Sequence, residues 1–401
     1  MNQRASIADI QKAVAKAGLD GWLFYDFRQS DPMAYRILGL DQERLGTRRW
    51  FYFIPSSGTP TKIVHAIERD FLDSLPGEKL IYLPWQELHD RLKHTLAGRK
   101  RIAMQYSPQN DIPYVSRVDA GTVELVRSFG CEIVSSADLV QQFEATWTDD
   151  QLASHLWAAP LMRRIVDETF AEIARRVREE GETNELDVQR FIVSRFNHYG
   201  LVADHPPIVA VNAHSANPHY TPTEETSERI RSGDFVLIDL WAKQKDRPRS
   251  VYVDITWTGF VGQQVPEPYC SVFDIVRRAR DRAIELVREA VSAGRPLHGW
   301  EVDEACRKVI VDAGYGQFFL HRTGHSIGED VHGNGANMDN LETRDNRTII
   351  PRTCFSIEPG IYLEGRFGIR SEVDVYVGET DVLVSPSDVQ TEIIPILARA
   401  E

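Results

Sequence analysis

The sequence of 401 residues is poor in cysteine, and this scarcity excludes several kinds of site. Its four cysteines are widely separated, so a zinc ribbon and a dithiol redox motif are both absent. Scattered cysteines in a chain of this length are typical of reduced, buried thiols in a cytoplasmic protein. The four positions are Cys131, Cys270, Cys306 and Cys354.

Long apolar runs and an excess of positive charge are also missing. No stretch of about 18 apolar residues occurs, and the beginning MNQRASIADIQKAVAKAGLD lacks signal-peptide character, so no membrane association is expected. Acidic residues outnumber Lys and Arg by 59 to 46, which gives a net charge of −13. This balance argues against a nucleic-acid or anionic-membrane partner. The expectation is a cytoplasmic enzyme.

The order of helix-like and strand-like segments divides the chain into two domains. In residues 1–147, strands such as GWLFYDF and KLIYLP alternate with helices, which predicts an α/β domain with a largely parallel sheet. Residues 148–401 begin with a long amphipathic helix that Thr148 or Asp149 can cap and Gly181 can end. Helices and then a mostly antiparallel sheet follow, which predicts an α+β domain.

Two local expectations concern the first domain. Ser6 is a suitable cap for an amphipathic helix that Gly18 can end. One set of charged and aromatic residues is interpreted as a solvated charge cluster without an assigned role: Asp26, Arg28, Arg48, Arg49 and Trp50.

Carboxylates in the middle of apolar strands are the most informative feature of the second domain. Asp239 interrupts VLI-D-LW, Asp254 interrupts VYV-D-I, Glu358 lies in FSI-E-PG, and Glu372 lies in GIRS-E-VDVYV. A single such residue is usually on a half-exposed strand. An isolated buried carboxylate costs several kcal/mol unless it is paired, protonated or bound to a metal. Four of them together indicate a bound cation.

A histidine in a glycine-flanked segment completes this set. His325 lies in HRTGHSIGEDVHG, where Gly324 and Gly328 would let the backbone turn tightly. One nitrogen and four carboxylate ligands favour manganese, iron, cobalt or zinc over a thiolate-type site. Several carboxylates can bridge, so the set suits two ions holding a shared hydroxide.

Six motifs then identify a resemblance. In order they are PHY, GDFVLID, VDITWTG, HRTGHSIGEDVH, SIEPGIY and GIRSEVDVYV. Residues from about 150 to 395 resemble the pita-bread metallopeptidases, in the branch of Xaa-Pro aminopeptidases and Xaa-Pro dipeptidases (prolidases). The preceding α/β segment looks like the N-terminal domain of that branch. The resemblance implies a pita-bread catalytic domain in residues 148–401 and a homodimer.

The resemblance also implies a role for each ligand. Asp239 resembles the terminal ligand of one ion, and Asp254 and Glu372 resemble bridging carboxylates. His325 and Glu358 look like ligands of the other ion, and Glu358 is also the general base toward the attacking water. The implied cofactor is two divalent metal ions, with manganese first and cobalt, zinc or iron as alternatives.

Four further residues match the family's substrate-side positions. His219 in PHY and His332 in EDVH are implied to stabilise the tetrahedral intermediate and to pass a proton to the leaving imide nitrogen. An imidazole titrates in the useful range for this step. His321 matches a position on the proline side of the substrate. Arg370 matches an arginine that either braces the site or holds a carboxylate, and a guanidinium suits both roles.

The chain departs from the family pattern around the pocket. Trp241 stands where the family commonly has glycine, and it would share a strand face with Asp239, so its ring would narrow the pocket. Gly333 and Val373 stand where acidic residues are frequent. None of these departures removes a ligand.

Three functions compete. The leading one is a metalloexopeptidase that cleaves the Xaa-Pro bond, at the N-terminus of peptides or in dipeptides. The second is a non-peptidase metal-dependent hydrolase or lyase on the same fold, because fold does not fix function. The third is a binding protein without catalysis. Aminopeptidase and dipeptidase differ in whether the pocket is closed beyond the proline, and this choice stays open.

Overall fold

A computed structural model describes residues 5–398. The chain forms two compact units, Met1–Glu144 and Ala145–Glu401. No helix among the described residues is long and apolar enough to cross a membrane.

The first unit is built on a six-stranded sheet with the strand order β4-β3-β2-β1-β5-β6. Its helices and strands in chain order are α1 (Ile7–Lys16), β1 (Gly21–Asp26), α2 (Pro32–Leu38), β2 (Trp50–Pro55), β3 (Thr61–His65), β4 (Glu78–Tyr82), α3 (Trp85–Thr95), β5 (Arg101–Met104), α4 (Ala120–Ser128), β6 (Glu132–Ser135) and α5 (Ala137–Glu144).

The pairing in this sheet is mixed. β3–β4, β1–β5 and β5–β6 are parallel, whereas β1–β2 and β2–β3 are antiparallel. The expectation of a largely parallel sheet is therefore only partly correct. The connection 56–60 between β2 and β3 is too short for the crossover of a dozen or more residues that parallel neighbours need.

Two local features of this unit differ in how well the sequence predicted them. The Ser6 hydroxyl accepts a hydrogen bond from the Asp9 amide at 3.1 Å, so the predicted cap is confirmed. Asp26 and Trp50 are buried, so their interpretation as part of a solvated cluster is wrong. Asp26 lies at the end of β1, where its carboxylate accepts hydrogen bonds from the Asp31 amide and the Tyr35 hydroxyl.

The second unit contains longer helices and several small sheets. Its elements are α6 (Asp149–Glu180), β7 (Glu182–Asn184), α7 (Glu185–Tyr199), β8 (Leu201–Val202), β9 (Ile208–Val211), β10 (Arg229–Arg231), β11 (Phe235–Gln244), β12 (Val253–Phe260), α8 (Glu267–Ser292), α9 (Gly299–Asp312), β13 (Ser326–Ile327), β14 (Thr353–Ile357), β15 (Gly360–Leu363), β16 (Phe367–Arg370), β17 (Val373–Val377), β18 (Val382–Ser385) and β19 (Ile394–Pro395).

The boundaries of α6 follow from its end residues. Thr148 and Gln151 form a reciprocal capping box, and Gly181 ends the helix with φ +85°. Both ends are as predicted.

Among the cysteines, Cys270 is exposed and the other three are buried, so the expectation of buried thiols is wrong at that position.

Two sheets dominate this unit, with the orders β19-β12-β11-β8 and β13-β14-β17-β18, and β9 pairs with β11. Side chains of β11 alternate between two apolar clusters. Phe235 and Leu237 belong to the cluster that includes α8 and α9, whereas Val236, Ile238 and Leu240 belong to the cluster that includes α6 and α7. Helix α6 therefore packs against one face of β11, whereas the opposite face contributes Phe235 and Leu237 to the other apolar cluster and Asp239 and Trp241 to the wall of a cavity.

Candidate active site

One cavity of the second unit, with a volume of about 380 Å³, is lined by every residue that the sequence singled out for the site. These residues are Asp239, Asp254, His325, Glu358, Glu372, His219, His332, His321 and Arg370. They come from segments far apart in the sequence, so the fold brings them together.

Two of the carboxylates lie on neighbouring antiparallel strands. Asp239 on β11 is opposite Thr256, and Asp254 on β12 is opposite Trp241. Asp239 and Trp241 are two residues apart on β11, so their side chains share a face of the sheet. Because Trp241 is opposite Asp254, the side chains of Asp239 and Asp254 project from that same face. Their relative exposures are 8 % and 5 %.

The other carboxylates and the histidine come from the second sheet and its flanking segments. Glu358 directly follows β14, Glu372 lies between β16 and β17, and His325 directly precedes β13. The His325 amide donates to the Ser356 hydroxyl at 3.0 Å. A Cβ atom at Gly324 would lie 1.8 Å from the Ser356 carbonyl oxygen, so only glycine permits this close approach.

The predicted role of Gly328 is not supported in the same way. A Cβ atom there would meet nothing closer than the Asp330 carbonyl oxygen at 4.0 Å, and its φ is not positive. The tight approach of His325 to β14 therefore depends on Gly324.

Distances between these groups suit a shared cation. Asp254, His325 and Glu372 each offer one ligand atom, and these atoms lie within 4.8 Å of one another. The Nε2 atom of His325 is 3.6 Å from Asp254 Oδ2 and 3.5 Å from Glu358 Oε1. Asp239 stands outside that tight group and is bound to Arg370.

The hydrogen bonds of His325 leave one ring nitrogen directed at the carboxylates. Its Nδ1 atom is 3.3 Å from the Ser326 carbonyl oxygen, which can only accept, so Nδ1 carries the proton. Burial lowers the pKa of His325 well below its ordinary value, with a further contribution from His332. The imidazole is therefore neutral, and its Nε2 lone pair faces Asp254 and Glu358.

Burial and mutual repulsion perturb the carboxylates strongly. Burial is the largest cause of the raised pKa of Asp254, followed by the charges of Glu372 and Asp239. Burial, then Glu358 and Asp239, raise the pKa of Glu372 well above its ordinary value. Burial raises the pKa of Glu358 to about 7. A divalent cation among these groups would offset both the burial and the repulsion.

Unsatisfied oxygen atoms provide an independent test of whether the residues fit metal ions. The Oδ1 atoms of Asp239 and Asp254 are buried and have no hydrogen-bond partner. Buried polar atoms are nearly always satisfied, and a metal ion is one way to satisfy them. The donor set of one imidazole and four carboxylates fits manganese, iron, cobalt or zinc.

Arg370 is bonded to protein groups on three sides. Its guanidinium donates to the Thr256 hydroxyl at 3.0 Å, to the Tyr362 hydroxyl at 3.0 Å and to Asp239 Oδ2 at 2.5 Å. Thr256 in turn donates to Glu372 Oε2 at 2.7 Å. These bonds match the bracing role that the resemblance allowed for Arg370.

The three predicted substrate-side histidines have different surroundings. His321 Nδ1 lies 2.7 Å from the Arg322 carbonyl oxygen, and its Nε2 lies 2.7 Å from the Tyr362 hydroxyl, so both nitrogens are engaged. The His332 ring stands edge-on to His325 with centroids 4.3 Å apart. Burial, then the charge of Arg322, lowers the pKa of His332 to about 4. His219 is exposed at the cavity wall.

Several residues at the site were not found from the sequence. Asp374 Oδ2 accepts a hydrogen bond from the Asp254 amide at 3.0 Å, and Asp374 is fully buried. It also interrupts an apolar strand, so the signal that identified the ligands was present at this position. Tyr362 lies in the SIEPGIY motif, but nothing in the sequence shows that it joins Arg370 to His321. The cavity is also lined by Asp204, His205, Arg322 and Glu342.

The predicted position of Trp241 is correct, since its ring lines the cavity. Its indole Nε1–H donates to Asp204 Oδ1 at 2.9 Å. The pairing partner could not be predicted, because Asp204 lies on a different segment.

Solved structures with this architecture include the dipeptidase PepE from Mycobacterium ulcerans, with a TM-score of 0.66 and 24% identity over 97% of this chain and 96% of that one. A prolidase from Thermococcus sibiricus has a TM-score of 0.60 and 25% identity over 97% of each chain. The predicted fold class, an α+β pita-bread domain preceded by a smaller α/β domain, is confirmed by these likenesses.

Sequence relatives cover less of the chain. A probable dipeptidase PepE of Mycobacterium tuberculosis is 32% identical over 189 residues, which are 47% of this chain and 46% of the relative. An Xaa-Pro dipeptidase of Lactobacillus delbrueckii subsp. lactis is 32% identical over 165 residues, 41% of this chain and 40% of the relative. The match thus spans under half the length of these relatives.

The profile of metallopeptidase family M24 matches residues 162–379, which is more than half of the chain and includes every ligand candidate. The chain belongs to metallopeptidase family M24.

Proposed function

We propose that this chain is a dinuclear metal-dependent exopeptidase that hydrolyses the Xaa-Pro bond, in dipeptides or at the N-terminus of peptides. The observation that carries the proposal is the group of buried carboxylates around one neutral imidazole, in which two residues that line the cavity, Asp239 and Asp254, each have an unsatisfied oxygen atom. The preference for proline is supported by resemblance to relatives named as Xaa-Pro dipeptidases.

The proposed ligands are Asp239, Asp254, His325, Glu358 and Glu372. When bound, two divalent ions would supply Lewis acidity and a hydroxide nucleophile at neutral pH. Manganese is the first choice for this oxygen-rich set, with cobalt, zinc or iron as alternatives.

The protein groups around the ligands would handle the protons. Glu358 would accept a proton from the attacking water, and its carboxylate, which lines the cavity 3.5 Å from His325 Nε2, supports this role. His332 and His219 line the same cavity and would pass the proton on to the leaving nitrogen of proline, with a neutral His332 acting as a relay. That nitrogen leaves poorly until it is protonated, so this step requires a positioned acid.

The test begins with metal removal. The chain is stripped with a chelator, reloaded with manganese, cobalt or zinc, and assayed on Xaa-Pro dipeptides and Xaa-Pro-Yaa tripeptides. We expect cleavage only after reloading, and the ratio of the two rates separates dipeptidase from aminopeptidase. No cleavage of either class at full metal occupancy refutes the proposal and leaves the non-peptidase hydrolase as the alternative.

A pair of variants tests the ligand assignment. Asp254→Asn removes the charge of a proposed ligand and should abolish both metal binding and activity. Glu342→Gln removes a carboxylate from the same cavity wall but outside the proposed ligand set, so it should retain the metal content measured by elemental analysis. Equal metal content in both variants contradicts the assignment.

The resemblance also supports a homodimer, and the scarcity of cysteine supports a reducing, cytoplasmic location. Light scattering on the purified chain measures its mass in solution. A mass of one chain across the working concentration range would exclude the dimer.

A further inference from the structure

Trp241 lines the cavity but has no role in the proposed reaction. It lies on β11 two residues after Asp239 and opposite Asp254, so it is part of the ligand-bearing ladder. Its indole ring lines the cavity, and its N–H is directed at Asp204 Oδ1. The glycine that the family commonly has at this position would provide neither the ring nor the donor.

The Asp204 carboxylate is held in place but still open to the cavity. It lies in the segment 203–207 between β8 and β9, and its side chain is 43 % exposed. Trp241 binds Oδ1 at 2.9 Å, and His205 Nδ1 is 3.3 Å from Oδ2. Burial acts to raise the pKa of Asp204, but hydrogen bonds from Trp241 and His205 outweigh it, so the pKa lies below its ordinary value. The group is anionic at neutral pH.

The proposed metal ions would not neutralise the charge of Asp204. Four ligand carboxylates would balance two divalent ions; of the two arginines that line the cavity, Arg370 is bonded to Asp239, and the charge of Arg322 acts on His325, His332 and Glu358. Among the described residues that line the cavity, Asp204 and Glu342 are the carboxylates outside the ligand set. Glu342 accepts a hydrogen bond from the Arg322 amide at 3.1 Å. Asp204 is thus a fixed negative charge beside the volume that a substrate would enter.

We propose that Asp204, oriented by Trp241, forms an ammonium-binding subsite for the amino-terminal residue of the substrate. The inference rests on the proposed exopeptidase function. In an Xaa-Pro dipeptide the proline nitrogen is the scissile amide and the proline end carries a carboxylate. An ammonium group can therefore belong only to the preceding residue, as its α-amine or as a basic side chain. A charge-assisted hydrogen bond to a fixed carboxylate would recognise either group.

The probes are three non-cleavable analogues of Xaa-Pro, in which CO–CH replaces the scissile CO–N. The first has a norleucine side chain and an α-ammonium group, the second has hydrogen in place of that ammonium, and the third has a lysine side chain and the α-ammonium. Calorimetric Kd values are measured on the metal-loaded protein. The Kd ratio of the first and second analogues measures the contribution of the α-ammonium group. The Kd ratio of the third and first analogues measures the contribution of the lysine side chain.

We expect the wild-type protein to prefer the ammonium-bearing member of at least one pair by about tenfold or more, since hydrogen bonds to charged groups contribute about 1.5–3 kcal/mol. Asp204→Asn should abolish that preference, and Trp241→Phe, which keeps a ring but loses the N–H, should reduce it. Glu342→Gln removes a negative charge at another position on the cavity wall and should retain the preference for the ammonium-bearing analogue. All variants should keep the wild-type metal content.

Two results would overturn the subsite: no preference in either pair, or a loss of preference in Glu342→Gln as large as in Asp204→Asn. The latter would mean that the general field of the cavity, not Asp204, attracts the ammonium. Failure of the proposed function is distinguishable, because it appears as no cleavage of Xaa-Pro peptides at full metal occupancy. The calorimetric comparison does not depend on turnover and reports on Asp204 in either case.

Discussion

Replacing Thr256 by valine isolates the hydrogen bonds that brace the candidate metal centre. Thr256 is fully buried on β12, donates to Glu372 and accepts from Arg370. Valine has nearly the same shape, so the change creates no cavity but leaves one oxygen of Glu372 and one nitrogen of Arg370 unsatisfied. Each buried unsatisfied group costs about 1–3 kcal/mol, so the loss of two partners should lower the free energy of unfolding by roughly 2–6 kcal/mol.

The same change should weaken metal binding. The Thr256 hydroxyl orients Glu372 directly and orients Asp239 through Arg370, and the valine variant loses both contacts. Loss of such contacts to metal ligands typically lowers metal affinity about 10–100-fold. Denaturant unfolding of the chelated protein measures the stability, and competition with a chromophoric chelator measures the affinity.

Thr258→Val is the matched control for this prediction. Thr258 lies two residues further along β12 and is equally buried, but its hydroxyl makes only a 3.4 Å contact with Gln390. It should lose much less stability and no metal affinity. If Thr256→Val and Thr258→Val are equivalent in both measurements, the bracing role assigned to Thr256 is wrong.

Three further predictions follow from single features. Gly324→Ala should abolish metal binding and lower the melting temperature, because its Cβ would lie 1.8 Å from the Ser356 carbonyl oxygen; wild-type metal content would contradict this. Chelation should lower the melting temperature of the wild-type chain, since a ligand at about 1,000 times its Kd contributes about 4 kcal/mol, and an unchanged melting temperature would argue against a bound ion. Burial, followed by the charge of Asp26, raises the pKa of Asp31 to about 7 from 3.8, so its contribution to stability is full below pH 3.8 and is lost as pH rises to 7. Asp31→Asn should flatten the dependence of unfolding free energy on pH in that window, and an unchanged slope in chemical denaturation would refute it.

The site could be predicted from the sequence where a charged residue interrupts an apolar strand. Asp239 and Asp254 stand in strands whose neighbours are apolar, so burial and a cation could be predicted from adjacent residues alone. Gly324 could be identified as special because it directly precedes a candidate ligand. Asp374 also interrupts an apolar strand, but its hydrogen bond to the Asp254 amide joins two strands that are distant in the sequence.

What the sequence could not provide is the pairing of distant groups. The bonds of Arg370 to Thr256 and Tyr362 and that of Trp241 to Asp204 join segments whose approach depends on the whole fold. The strand directions in the sheet of the first unit could not be predicted either. Whether β1 and β2 pair in a parallel or antiparallel way depends on the path of the chain that connects them. The burial of Asp26 could not be predicted, because its partners are backbone amides of the turn that follows it.

The apolar clusters packed on both faces of β11 also bear on how the protein would exchange metal. Strands enclosed in this way open only with the cooperative unit to which they belong, whereas loops open locally. Asp239 and Asp254 should therefore keep their geometry on the timescale of global unfolding, and ions should enter and leave through the cavity rather than by fraying of the strands. Backbone amides of β11 and β12 should accordingly exchange with deuterium only through global unfolding, so their free energy of opening should equal the global free energy of unfolding in both the metal-loaded and the chelated protein.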